Sequence, residues 1–166
     1  MLFRLVRILS GIGVSLAIAG CSAAPPDTAA DLKAIGAVRD AYAAAFTAED
    51  AAKTSALFTP DGVLMDDNAQ QIVGRDTIRA HYEKMMAGME TDIQLKSEET
   101  VVNGDWAYDR GQTWVHMMSK DPKSTMPMIM DQGKYLVVLS KQADGGWLIA
   151  RAMSNSNIGP PPAPTN

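Results

Sequence analysis

Four groups of side chains in this sequence have types and spacings that could do chemistry. The first is soft: His116-Met117-Met118 and Met126-Pro127-Met128-Ile129-Met130, in a chain with eleven methionines. On a strand, Met126, Met128 and Met130 alternate onto one face, opposite His116 to Met118 across a reversal at residues 119–124. Thioethers beside an imidazole suit Cu(I). The same residues also serve as adaptable core filling, because methionine packs irregular cavities. The second group is Asp66-Asp67, followed by Asn68. It reads either as a carboxylate base at a strand end or as a turn pair capping backbone amides. The third is Arg110 and Arg151. An arginine seldom stands unpaired on a buried face, so each either pairs with an acid such as Asp109 or Asp131 or binds an anion. The fourth is Cys21, the single cysteine, which has no partner for an intramolecular disulfide. His81 and His116 are the two histidines. His81-Tyr82-Glu83 lacks metal-ligand spacing, and no third ligand for a catalytic zinc is evident, so no cofactor is implied.

These groups need elements to hold them. Residues Ile35, Val38, Tyr42, Ala45 and Phe46 fall at the spacing of one buried helix face. Thr28 or Asp31 can cap that helix. A short helix is expected over 50–58, stopped by Thr59-Pro60, then a strand over 62–65 and a polar turn leading to Ile72-Val73. Gly74-Arg-Asp-Thr opens a third helix with Ile78, Tyr82, Met85 and Met89 as its stripe. From Asp92 the pattern becomes strands: about 92–102 and 105–118 around Asn103-Gly104, then 126–141 and 147–155 around Asp144-Gly145-Gly146. In the last strand Trp147, Ile149, Arg151, Met153 and Asn155 alternate onto one face, apolar at the turn and polar at the far end. That suits a strand running from a core into a cavity. Helices followed by a long meander describe an α+β fold.

The order Asp131-Gln-Gly-Lys-Tyr, Val137-Val-Leu-Ser-Lys, Asp144-Gly-Gly-Trp-Leu-Ile-Ala-Arg and Asn155-Ser-Asn resembles the end of a SnoaL-like domain, within the nuclear transport factor 2-like superfamily. Gly74-Arg-Asp and Gly104-Asp-Trp-Ala add to the likeness. The resemblance covers 31–157 and implies a cone: three helices packed on a bent antiparallel sheet that wraps the first helix and leaves a cavity open at one end. It implies a pocket lined by Tyr42, Phe46, Met65, Tyr82, Tyr108, Arg110, Lys134, Arg151, Met153 and Asn155. Isomerases of this fold set a buried carboxylate of raised pKa against hydroxyl or protonated-acid donors. The implied pocket is rich in donors and lacks an obvious acid beyond Asp66 or Asp67. In the family the residue after this arginine is commonly acidic or histidine, and here it is Ala152, which counts against an enzyme. The expectation is therefore a domain that holds a small apolar or amphipathic molecule and forms a homodimer through its open sheet face. An isomerase or cyclase on an apolar substrate, Cu(I) binding through His116, Met126, Met128 and Met130, and a ligand-free dimerisation module are the alternatives.

The N-terminus carries an address. Arg4 and Arg7 precede an apolar run of twelve residues, Ile8 to Ala19, short of the ~20 needed to span a bilayer. It reads as a signal peptide over 1–20. Ile18-Ala-Gly-Cys21 resembles a bacterial lipobox, which implies acylation of Cys21 and a membrane anchor made by lipid. Ser22 implies, by the same analogy, the outer membrane, facing the periplasm. An ordinary secreted protein with a leftover thiol is the alternative. Residues 21–30 form a tether, and 158–166 a solvated proline-rich tail. The chain has 166 residues and a net charge of −4, which predicts one domain and no nucleic-acid surface.

Overall fold

The computed structural model describes residues 28–158. The signal segment, Cys21, most of the tether and the tail from residue 159 lie outside the described residues. Helix α1 (Thr28–Thr47) starts three residues before the boundary drawn at Asp31. It buries Ile35, Ala45 and Phe46, with Val38 and Tyr42 packed against the same core, as the stripe requires. Helix α2 (Ala51–Ala56) is capped by Asp50, whose side chain accepts from the Lys53 amide at 2.9 Å. It ends before residue 58 because Phe58, fully buried, already belongs to strand β1 (Phe58–Met65). Strand β2 (Ile72–Val73) and helix α3 (Arg75–Gly88) follow. The buried stripe of α3 is Ile78, Tyr82 and Met86; Met89 instead begins β3.

Strands β3 (Met89–Asn103), β4 (Trp106–Ser119), β5 (Ile129–Lys141) and β6 (Trp147–Ser156) make the meander. Gly104 and Gly145 turn its hairpins with φ of +61° and +85°, conformations that side chains disfavour. The six strands run in the order β2-β1-β6-β5-β4-β3. The expected antiparallel sheet is in fact mixed, because β1 returns from the helices to lie parallel to β6.

Two bulges decide which side chains face inward. Between β3 and β4 the register shifts between Ser97 and Glu99, so residues on either side of Glu98 no longer alternate simply. Gly111 sits opposite, where a Cβ would lie 2.0 Å from the Lys96 carbonyl oxygen; a side chain does not fit. Between β5 and β6 the register passes from Leu139↔Ile149 to Val138↔Arg151, leaving Ala150 extra. The alternation of β6 is therefore reset after Ile149, and Ala152 rather than Arg151 takes the inward place.

The first helix and the last hairpin are tied by Asp31, 5% exposed. Its Oδ1 accepts from Trp147 Nε1 at 3.0 Å and meets Lys141 Nζ at 2.7 Å. The Lys141 bond, with that from Trp147, holds its carboxyl below the usual carboxylate range. A carboxyl lowered on folding stabilises the native state above its unfolded pKa, and that contribution fades as pH falls through the lower folded value. Asp31→Asn is thus expected to melt below the wild type at pH 6, with the gap closing as pH drops below about 4. Thermal melts at stepped pH read this directly, and a gap constant with pH would contradict it.

Candidate functional site

The sheet curls around α1 and leaves a cavity of about 220 Å³. That is an order of magnitude above the ~10–15 Å³ that one water needs. Its closed end is built from Ile35, Leu139 and Ile149, all almost fully buried. Its other end carries the exposed members of the lining, Asp67, Met153 and Asn155, and is therefore the mouth. Most of the wall is apolar, which favours an apolar occupant.

Polar groups enter this wall at three places, one of them on β5 and β6, where Ser156 Oγ donates to Asp131 Oδ1 at 2.6 Å. Deep inside, Asp109 of β4 is 1% exposed. Its Oδ2 accepts from Tyr135 Oη at 2.9 Å and from Arg39 Nη1 at 3.3 Å; its Oδ1 accepts from Thr100 Oγ1 at 2.7 Å and from Ser97 Oγ. The bulge brings Ser97 and Thr100 to the same carboxylate although they are three residues apart. A buried charge so surrounded is satisfied, and it anchors structure rather than attacking a ligand. Burial, together with the bond to Asp109, pushes the Tyr135 hydroxyl pKa up.

Towards the mouth, Tyr42 and Tyr82 share a hydrogen bond of 2.9 Å between their hydroxyls. Phe46 holds both rings, stacked on Tyr42 at 6.1 Å and edge-on to Tyr82 at 6.0 Å. Burial pushes Tyr42 up to about 12 and Tyr82 well above its ordinary value. Both are neutral at pH 7. Their shared bond uses one hydroxyl proton, so the pair retains one for a ligand. Asp66 lies in the same wall, its side chain 38% exposed, with its pKa raised by burial against an opposing pull from His81. His81 Nε2 stands 3.6 Å from Asp66 Oδ2. Asp67 differs: it is exposed, and its Oδ2 accepts from Asn68 Nδ2 at 2.8 Å, as a turn residue would.

Of the residues expected in the pocket, Tyr42, Phe46, Tyr82, Met153 and Asn155 line it, as do Asp66 and Asp67. Met65, Tyr108, Arg110, Lys134 and Arg151 do not. Leu64 and Asp66 face the cavity, so Met65 between them takes the other side. On β4 the inward residues are Asp109, Thr113, Val115 and Met117, which turns Tyr108 and Arg110 outward. Arg110 there pairs with Glu99 at 2.8 Å and Glu98 at 3.1 Å. On β5 Tyr135 and Val137 line the cavity, and Lys134 reaches Asn157 Oδ1 at 3.1 Å instead. The bulge at Ala150 turns Arg151 away: it donates to the Ala150 carbonyl at 2.6 Å and lies 3.9 Å from Asp61. Ala152 takes the inward place. Both arginines are thus ion-paired, with acids other than Asp109 and Asp131. Asp131 also lines the cavity, and Asp109 was the deeply buried inward acid missing from the expected set. Its place in an alternation with Ala107, Gly111 and Thr113, all small, is the signal that marks the concave face.

Asp109→Ala would leave one guanidinium and three hydroxyls without their acceptor, so a loss of about 3–5 kcal/mol in unfolding free energy is expected. Asp109→Asn, which keeps an acceptor oxygen, should lose less. Urea titration ranks the two, and equal losses would point to packing rather than to the hydrogen bonds.

Comparison with known proteins agrees with this architecture. Residues 38–145 match the SnoaL-like domain family. A ketosteroid isomerase-like protein from Erwinia carotovora atroseptica is 28% identical, over 78% of this chain and 98% of its own, with a TM-score of 0.69. An NTF2-like protein with a cystatin-like fold from Novosphingobium aromaticivorans is 19% identical, over 80% and 86%, at 0.66. A candidate scytalone dehydratase from the same organism is 16% identical, over 79% and 87%, at 0.67. The last two share the fold alone. No curated protein matches the sequence.

Proposed function

The chain belongs to the SnoaL-like domain family, and from that premise we propose that its cavity holds a small, largely apolar molecule bearing one polar group. The observation that carries this is the enclosed apolar wall interrupted near its mouth by the Tyr42–Tyr82 pair and Asp66. A carbonyl or hydroxyl on the occupant would take the spare tyrosine proton, while its apolar body displaces water from the wall. Native mass spectrometry of the protein from a bacterial envelope is expected to carry an organic adduct. Tyr82→Phe should weaken it by about tenfold, the worth of one hydrogen bond of ~1.4 kcal/mol. An unliganded spectrum, with no thermal stabilisation by any apolar carbonyl compound, would defeat the reading. The same spectrum reads subunit number. A homodimer through the outer sheet face is part of the proposal, since that face leaves Trp106 and Leu136 at 54% and 36% exposure.

One arrangement favours a second reading, proton transfer. Asp66 is raised by burial, and the neutral tyrosine pair stands in the same wall. A base of raised pKa beside hydroxyl donors can move a proton next to a carbonyl while the donors stabilise the developing oxyanion. The ketosteroid isomerase-like relative lends this analogy. Asp66→Asn is expected to abolish any turnover of a bound ketone while leaving its binding. Retained turnover would transfer the role elsewhere.

The address is proposed from the sequence at Ile18-Ala-Gly-Cys21: Cys21 is acylated and the domain is tethered to the envelope membrane, on its periplasmic side. Among the described residues no helix is long and apolar enough to cross a membrane. Cells fed a labelled fatty acid should incorporate it into the wild type and not into Cys21→Ala. Equal labelling of both would remove the anchor.

A further inference from the structure

The outer face of the sheet carries a second constellation, away from the cavity. In the β4–β5 ladder His116 is the direct partner of Met130, and Met117 of Ile129. Met117 points into the cavity, so His116 and Met118 on either side of it point outward. Met130 shares the outward side with His116, and Met128 follows it two residues along, just beyond the end of β5. Three thioethers and an imidazole thus gather at one corner of the sheet. Side chains directly opposite have Cβ atoms about 4.5–5.5 Å apart, within reach of long flexible groups.

Core filling does not account for them. Met118, Met128 and Met130 are 48%, 54% and 58% exposed, and the His116 side chain 48%. Exposed methionine gains little from burial, and here two such residues share one face with a histidine while Met128 follows just beyond the strand end. The imidazole is set up as well: Asp92 Oδ2 lies 3.9 Å from His116 Nδ1, and among the described residues no hydrogen bond or ion pair engages Nε2. A carboxylate beside the remote ring nitrogen is the usual support of a ligating histidine. Glu90, the partner of Met118 on β3, adds negative charge beside it. Among the described residues no cluster of three His, Cys, Asp or Glu could hold a harder ion.

We infer that His116, Met118, Met128 and Met130 form a surface site for a soft monovalent cation, Cu(I) or its analogue Ag(I). Thioether sulfur and neutral imidazole select such ions over Zn²⁺ and over ions that prefer oxygen. The metal binds without redox change, and three or four donors suffice. Met126, 57% exposed, lies further out in the loop and is not required.

The test uses the full chain with Cys21→Ser, so that the single thiol does not compete, titrated anaerobically with Cu(I) against a coloured Cu(I) chelator. One equivalent per chain is expected to leave the chelator. His116→Ala and Met130→Leu should each weaken uptake by about tenfold or more, a ligand-loss effect at least as large as that of losing a supporting group. Met117→Leu, which alters only the cavity side, should leave uptake unchanged. All four positions tolerate substitution sterically, and thermal melts confirm that each variant is folded. Absence of uptake, or uptake equal in the Met118→Leu/Met128→Leu/Met130→Leu triple variant, overturns the site. Equal weakening by Met117→Leu overturns its placement on the outer face.

Discussion

A single buried charge sets the terms for this fold. Asp109 lies where α1, β3, β4 and β5 meet, and each of those elements supplies something to it: Arg39, the pair Ser97 and Thr100, the carboxylate itself, and Tyr135. An ionised carboxylate taken out of water is costly unless donors or a counter-charge meet it. The bulge at Glu98 and the missing side chain at Gly111 make sense in that light. They bend the long hairpin until both hydroxyls of β3 reach one acid, and the same bend wraps the sheet around α1. The cavity is the space that this wrapping leaves.

Two of the acids of the cavity wall, Asp109 and Asp66, then have different characters for one physical reason. Asp109 is met by four donor groups, from Arg39, Ser97, Thr100 and Tyr135. Asp66 has lost part of its hydration at the mouth and receives only the distant pull of His81 in exchange. The tyrosine pair sits between these extremes, buried enough to stay neutral and still holding an unused proton.

Much of this architecture was legible in residue patterns. The helix stripes of α1 and α3, the turns at Asn103-Gly104 and Asp144-Gly145-Gly146, and the order of elements needed only spacing and backbone chemistry. The lining was legible on the helices, where Tyr42, Phe46 and Tyr82 stand as read. On the strands it was legible for Met153 and Asn155 and not for Met65, Tyr108, Arg110, Lys134 and Arg151. Alternation tells which residues share a face but not which face is concave, so Tyr108 and Arg110 were placed inside while Asp109 occupied that side. On β6 one extra residue, Ala150, reversed the pattern for Arg151. A bulge of this kind leaves no mark in a run as uniformly β-forming as Trp147 to Met153.

The tie between Asp31 and Trp147 joins residues 116 positions apart. Loop closure over such a span is slow, and contacts of this range are made late. The helix that forms the centre of the cone therefore has no finished surroundings until the last hairpin has been synthesised. For a growing chain this means an apolar stripe waiting in solvent through nearly the whole of synthesis, open to chaperones. Such a domain reaches its native state only as a complete chain.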